Sequence, residues 1–290
     1  MPSLAVLRIL ANELTTTERA QRYPEPDLVM ANEEQVAAYT RAGRQDGVMA
    51  PVYLYNASHV LEVIAPGDKV LDLACGPATQ LALIAGLAPD SSFTGVDLSP
   101  TMLGKAEAHV KDLQLGNVQF VENSIAKLDA IADGSINAVM TTMALHHLPD
   151  QALLEATFKE IRRVLKPGGG VYLADFGHLK REHSIHYFAN QYADRQPEIF
   201  TEDYHNSLRA AFSLEDFRRA GAHIQMHAKL YSTFLVPYMI AFKSPRKHKP
   251  GRQQLSELHK HWQLMPVHHQ RDFADLKTFF RFGGLRSRLI

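Results

Sequence analysis

Two apolar runs, each ending in an acid and separated by a turn of small residues, constrain this chain more than any other feature. Residues 70–85 read Val-Leu-Asp-Leu-Ala-Cys-Gly-Pro-Ala-Thr-Gln-Leu-Ala-Leu-Ile-Ala, and Phe-Thr-Gly-Val-Asp closes on Asp97, 21 residues past Gly76. The apolar runs have strand length and the stretch between them has helical length. In such a unit the small residues let a nucleoside cofactor approach the backbone, and the second acid accepts hydrogen bonds from ribose hydroxyls. A dinucleotide fingerprint needs glycines spaced G-x-G-x-x-G. Here those places hold Ala74, Gly76 and Thr79, so a pyrophosphate fits poorly.

Strand-like and helix-like segments alternate from Lys69 to Phe176, as expected for an α/β chain with a parallel sheet covered on both faces. Val118–Val121, Ile136–Met143 and Val171–Asp175 read as further strands, with helices at Pro100–Leu113 and Gln151–Leu165. Upstream, Leu4–Leu14, Glu33–Ala42 and Ala50–Ile64 read as helices, the first two separated by the breaker Tyr23-Pro24-Glu25-Pro26-Asp27. Downstream, Ala222–Leu230 and Ser232–Phe242 read as a closing antiparallel strand pair, after a helix at residues 213–221. Gln253–Trp262 and Arg271–Arg281 read as helices of a tail. The chain divides into residues 1–66, a helical segment that forms a lid or packs against one side of the sheet; 67–244, the main domain, with an insertion at 177–212; and 245–290, a basic helical extension.

The turn resembles the first motif of class I S-adenosylmethionine-dependent methyltransferases, an acid followed by G-x-G-x-G: Asp72 supplies the acid, and Ala74, Gly76 and Ala78 take the glycine places. Later segments follow the family's order. Ser124 stands where the family often has an Asp, Ala144-Leu145-His146-His147-Leu148 resembles the segment after the fourth strand, and Leu165-Lys166-Pro167-Gly168-Gly169 resembles the turn into the fifth. The resemblance implies a seven-stranded Rossmann-like doubly wound sheet of order 3-2-1-4-5-7-6 with its last strand antiparallel. It implies S-adenosyl-L-methionine as cofactor and transfer of its methyl group to a small molecule, at O, N, S or C.

That resemblance assigns Asp72 to the methionine amine, directly or through water, or to organising the loop. Ala74, Cys75 and Gly76 would form the floor, with Cys75 as a small packing residue, and Asp97 would hold the ribose or serve as a helix N-terminal carboxylate. Leu98 and Met102 would flank adenine, Met102 equally as a core residue; Ser124 would accept from the adenine amino group, Ile125 would lie at the cofactor, and Thr141 would contact the methionine moiety or cap a turn. His146 and Asp175, at the ends of strands four and five, are the candidate catalytic residues, weighed against structural roles for both. His183 and His186 share a helical face, but no Cys or carboxylate motif completes a site, so no metal is expected.

Lys+Arg and Asp+Glu balance at 31 each, which predicts no polyanionic partner, and one cysteine excludes an internal disulfide framework. No run approaches the roughly 20 apolar residues that span a bilayer, so a soluble, cytoplasmic protein is expected. From Pro245 onward, ten Lys/Arg stand against three Asp/Glu. That tail suggests either an RNA substrate or a homodimer built through Leu255, Leu258, Trp262, Phe273, Leu276, Phe279 and Phe280. Against RNA, the segment after strand four lacks the Asn/Asp-Pro-Pro-Tyr/Phe motif of base methylation. A cofactor-binding protein without activity is the third reading.

Overall fold

The computed structural model describes residues 4–17, 19–26, 33–43 and 46–289; Asp27, at the end of the proline-rich breaker, lies outside them. Among the described residues, α1 (Leu4–Thr15), α2 (Glu33–Ala42) and α3 (Ala50–Val63) precede the sheet. Strands and helices then alternate: β1 (Lys69–Leu73), α4 (Thr79–Leu87), β2 (Ser92–Asp97), α5 (Pro100–Asp112) and β3 (Val118–Glu122). They continue through β4 (Ile136–Thr142), α6 (Gln151–Val164) and β5 (Leu165–Phe176). The insertion forms α7 (Glu182–Asn190) and α8 (Glu198–Ala210), followed by α9 (Leu214–Gly221), β6 (Lys229–Ser232) and β7 (Met239–Lys243). The tail forms α10 (Arg252–Leu264) and α11 (Val267–Phe282).

The strands join in the order β3-β2-β1-β4-β5-β7-β6, as the resemblance implied. β1 pairs in parallel with β2 and β4, whereas β7 runs antiparallel to β5 and β6. Alternation along each strand feeds two cores. Leu71, Leu73, Val139, Val171 and Leu173 face α6 and α9 through Phe158, Ile161 and Phe217. Val70, Ala138, Met140 and Tyr172 face the side of α3 and α4, with Leu61, Leu81 and Phe280. Each such side chain, fully buried, contributes about 1.5–3 kcal/mol. Burial on both faces explains why the strands read as unbroken apolar runs.

Three expectations need correction. Residues 222–230 are not one strand. The chain leaves α9 through a tight helical turn at Ala222–Ile224 that buries Ile224 completely, and pairing starts only at Lys229. Nor does a strand fill 232–242. Thr233 donates its hydroxyl to the Val236 carbonyl (2.7 Å), Pro237 has no N–H to give a ladder, and pairing resumes at Met239. The tail's apolar residues also find a different partner: Leu258, Phe273 and Phe280 are buried in the chain's own core, with the Phe280 ring stacked on Tyr55 of α3 at 5.4 Å. Leu255, Trp262, Leu276 and Phe279 are half-buried, so the face expected to meet a second copy covers α3 instead. No helix among the described residues is long and apolar enough to cross a membrane.

Candidate functional site

The strand order reverses between β1 and β4, which opens a crevice at the carboxyl ends of β1, β2 and β4. The turn after β1 enters it. Ala74, Gly76 and Ala78 adopt left-handed φ values of 55°, 53° and 59°, so the three motif places share one backbone conformation although two hold alanine. Left-handed backbone costs a non-glycine residue roughly 1–2 kcal/mol. The turn is tied down by the Cys75 N–H on the Val96 carbonyl (2.9 Å), the Ala78 N–H on the Cys75 carbonyl (3.0 Å) and the Gly76 N–H on the Asp97 carboxylate (2.8 Å). Gly95 beneath must be glycine, because a Cβ there would come within 2.8 Å of both Cys75 Sγ and the Phe120 ring. By contrast, a Cβ on Gly76 would meet nothing within 4 Å, so the floor carries free space above it.

The helix that leaves this turn is left open. Ser99 and Asp150 side chains cap α5 and α6, whereas α4 starts on left-handed Ala78 with no side-chain cap. Its orphan N–H groups favour a ligand with acceptor atoms. Asp72 is buried and receives no hydrogen bond among the described residues; burial, and then the charge of Asp97, push its carboxyl well above the usual range. Gln80 on α4 accepts from the Thr142 hydroxyl (2.9 Å), but its amide nitrogen is buried without a partner. A cationic amine and a carboxylate would answer both needs.

On the other side of the turn, Asp97 accepts from Gly76 and from the Ser99 N–H (2.9 Å), so it organises two loops as well as facing the crevice. Leu98 is exposed, and Met102 and Ile125 are buried. Ser124 accepts the Ala126 N–H at 3.3 Å. Thr141 is fully buried and donates to the Leu73 carbonyl (2.7 Å), locking β4 to β1, so its hydroxyl proton is spent inside the sheet, a structural role. Sequence reasoning missed Tyr39 of α2 and Tyr53 of α3, whose hydroxyls meet at 3.4 Å. Burial raises both phenols. The facing hydroxyl and Asp72 add to the rise of Tyr53, while Asp203, Asp97 and Asp175 add to that of Tyr39.

The opposite end of the crevice is built on His146 and His147, in the tight turn after β4. Asp175 is completely buried and accepts from the N–H groups of Ala144 (3.2 Å), His146 (3.1 Å) and Phe176 (2.6 Å) and from His146 Nδ1 (2.7 Å). So many donors leave it no free role as a base. It caps the turn after β4 and positions His146, the structural role weighed for it in the sequence. Burial opposes a charge on His146, but Asp175, with Glu25 and Asp203 beyond it, outweighs burial and raises its pKa.

An N-terminal strap closes over this end. Arg22 donates to the carbonyls of Ala210 (2.7 Å), Pro149 (2.6 Å), Leu148 (2.5 Å) and His146 (3.3 Å) and stacks on Phe212 at 3.8 Å. Glu25 then pairs with His147 Nδ1 and accepts from the Ser207 hydroxyl (2.8 Å). Burial would raise Glu25, yet the hydrogen bond and charge of His147, with His146 behind it, hold it at about 2. Asp203 on α8 is pushed upward by burial and by Glu25. In the sequence, residues 23–27 read as a breaker within the N-terminal segment, with no site residue among them. The signal was there: flanking prolines keep Glu25 in extended chain, where it can reach across.

Comparison with known proteins agrees with this geometry. Residues 70–169 match the family described as Methyltransferase domain. The chain is 35% identical over 113 residues to the arsenite methyltransferase of Halobacterium salinarum, covering 39% of this chain and 28% of that protein. It is 24% identical over 176 residues to the ubiquinone biosynthesis O-methyltransferase of Acinetobacter baumannii, covering 60% and 72%. Among solved structures, the fold is shared with an S-adenosylmethionine-dependent methyltransferase from Methanococcus maripaludis described as unconfirmed in function (TM-score 0.53, 17% identity, 79% of this chain and 99% of that one). It is shared too with the plantazolicin methyltransferase BpumL, solved with SAH (TM-score 0.51, 15% identity, 94% and 91%). The chain spans under a third of the arsenite methyltransferase's length.

Proposed function

Residues 70–169 match a methyltransferase domain, and from that premise we propose that this chain is a class I S-adenosylmethionine-dependent methyltransferase that methylates a small molecule. The observation that carries the reading is the turn at Ala74–Ala78: three left-handed residues, free space over Gly76, and Asp97 reaching back to its backbone. When bound, S-adenosylmethionine supplies a methyl group activated by a sulfonium. Asp97 would accept the ribose hydroxyls with the lone pairs its backbone donors leave free. Asp72 would receive the amine, and the Gln80 amide would reach the carboxylate. Tyr39 and Tyr53 would exclude water above the turn, giving residues 1–66 their role as a lid.

The acceptor lies, on this reading, beyond the β4 end, between the turn bearing His146 and the wall formed by residues 177–212. Because in-line displacement needs mainly position and dryness, no residue has to act as a nucleophile. Asp175 holds His146 through Nδ1, leaving Nε2 as the nitrogen that can face an acceptor. Names of the relatives, an arsenite methyltransferase and an O-methyltransferase of ubiquinone biosynthesis, support a small acceptor over RNA. A tritiated-methyl transfer screen against metabolite and RNA fractions tests this, with Asp97→Ala as control. Label entering a metabolite fraction with wild type and not with the variant supports it. Label confined to RNA, or absent altogether, refutes it.

A further inference from the structure

We propose that Glu25, His146 and His147 form a binding site for a divalent transition-metal ion of the zinc type, which holds the heteroatom to be methylated. Among the described residues, these three each present a ligand atom within 4.8 Å of the other two. Two imidazoles and one carboxylate are a donor set found in metal sites that keep open positions for substrate. The surroundings are those of metal ligands. Asp175 takes His146 Nδ1 at 2.7 Å and leaves Nε2 for the ion, while Ser207 takes one Glu25 oxygen at 2.8 Å and the other pairs with His147 Nδ1, the contact that an ion would replace. Such outer partners fix ring orientation and raise ligand basicity.

The ligands are also held before any ion arrives. Arg22 clamps the strap to the carbonyls of His146, Leu148 and Pro149, the same turn that carries both histidines, so Glu25 is fixed relative to them. Asp203 supplies a further carboxylate charge nearby, and Asp175 is completely buried. This negative field favours a cation. Spacing along the sequence could not reveal the set, since Glu25 lies 122 residues before His147.

Ion binding rests on this geometry alone; the ion's use rests on the methyltransferase reading. The open positions take the acceptor's oxygen, sulfur or nitrogen, whose proton leaves to solvent. That atom then bonds to the methyl carbon as the sulfur–carbon bond of the cofactor breaks and sulfur keeps the electron pair.

The test uses the full chain, stripped with a chelator and without cofactor, titrated with zinc chloride by calorimetry and with cobalt(II) by visible absorption. Wild type should bind one equivalent, with ligand-field bands of a low-coordinate site. Glu25→Gln and His147→Ala should each weaken binding by more than the roughly 10–100-fold that loss of an outer partner costs, the loss expected for Asp175→Asn. His259→Ala, on the exposed face of α10, should leave ion binding unchanged. Retained S-adenosylhomocysteine binding in each variant certifies its fold. No saturable binding by wild type, which would leave Glu25 and His147 an ion pair only, overturns the site, as does binding undiminished in Glu25→Gln and His147→Ala. Because zinc is titrated without cofactor, this failure is distinct from failure to bind S-adenosylmethionine.

Discussion

Gly76→Ala separates the floor of the cofactor site from the stability of the fold. Gly76 sits at φ 53°, beside alanines at 55° and 59°, and its added Cβ would meet no atom within 4 Å. The protein alone should therefore lose only the left-handed penalty, roughly 1–2 kcal/mol. For a chain of this size that lowers the melting temperature by about 2–8 °C. With cofactor bound, the same methyl intrudes on a packed contact and costs a further ~1–3 kcal/mol, which is roughly a 5- to 150-fold rise in Kd. Calorimetric titration with S-adenosylhomocysteine beside a thermal melt reads both quantities. Gly104→Ala, on the exposed face of α5 and also facing open space, should leave affinity unchanged and stabilise by about 0.4–1 kcal/mol. If Gly76→Ala binds within about twofold of wild type, the cofactor does not lie on this turn.

Asp72 carries a pH signature. Its folded pKa is raised by burial and by Asp97, so its carboxylate destabilises the unliganded fold as pH rises through that value. Asp72→Asn should accordingly melt higher at pH 7, with the difference vanishing below about pH 4 where the unfolded group also protonates, while cofactor affinity falls roughly 10- to 100-fold. Equal melting at both pH values would contradict the assignment. Arg22→Ala removes charged donors from carbonyls of the β4 turn and of α8, and should cost about 2–3 kcal/mol. Limited proteolysis should then cut within residues 17–26, and an uncut strap would argue that other contacts hold it. Truncation after Ser244 uncovers Tyr55 and removes Phe273 and Phe280 from the core, roughly 2 kcal/mol for each buried ring. Size-exclusion with light scattering should show an unstable or aggregating product; a stable monomer released from a wild-type dimer would show that the tail joins copies.

Much of the fold was legible because its signals are local. The strands around the turn are buried on both faces and read as apolar runs, and the spacing from Gly76 to Asp97 is fixed by one turn, one helix and one strand. The closing strands were misjudged because Ile224 is apolar for a helical turn packed in the core, not for a ladder. Thr141 was assigned by its place at a strand end, yet whether a hydroxyl points outward or to a neighbouring carbonyl is settled by pairing of β4 with β1. Tyr39, Tyr53, Glu25 and Asp203 were not found, since each reaches the site from an element remote in sequence. The tail's apolar stripe was visible, but not the α3 face that takes it.

Titration of the purified chain with S-adenosylmethionine, and separately with NAD, puts the cofactor assignment to trial. One equivalent of S-adenosylmethionine should bind in the micromolar range, with Asp97→Ala weakening it by the roughly 1–3 kcal/mol expected for ribose hydrogen bonds left unmade, while NAD gives no heat. Binding of NAD in place of S-adenosylmethionine, or affinity unchanged in Asp97→Ala, would contradict it.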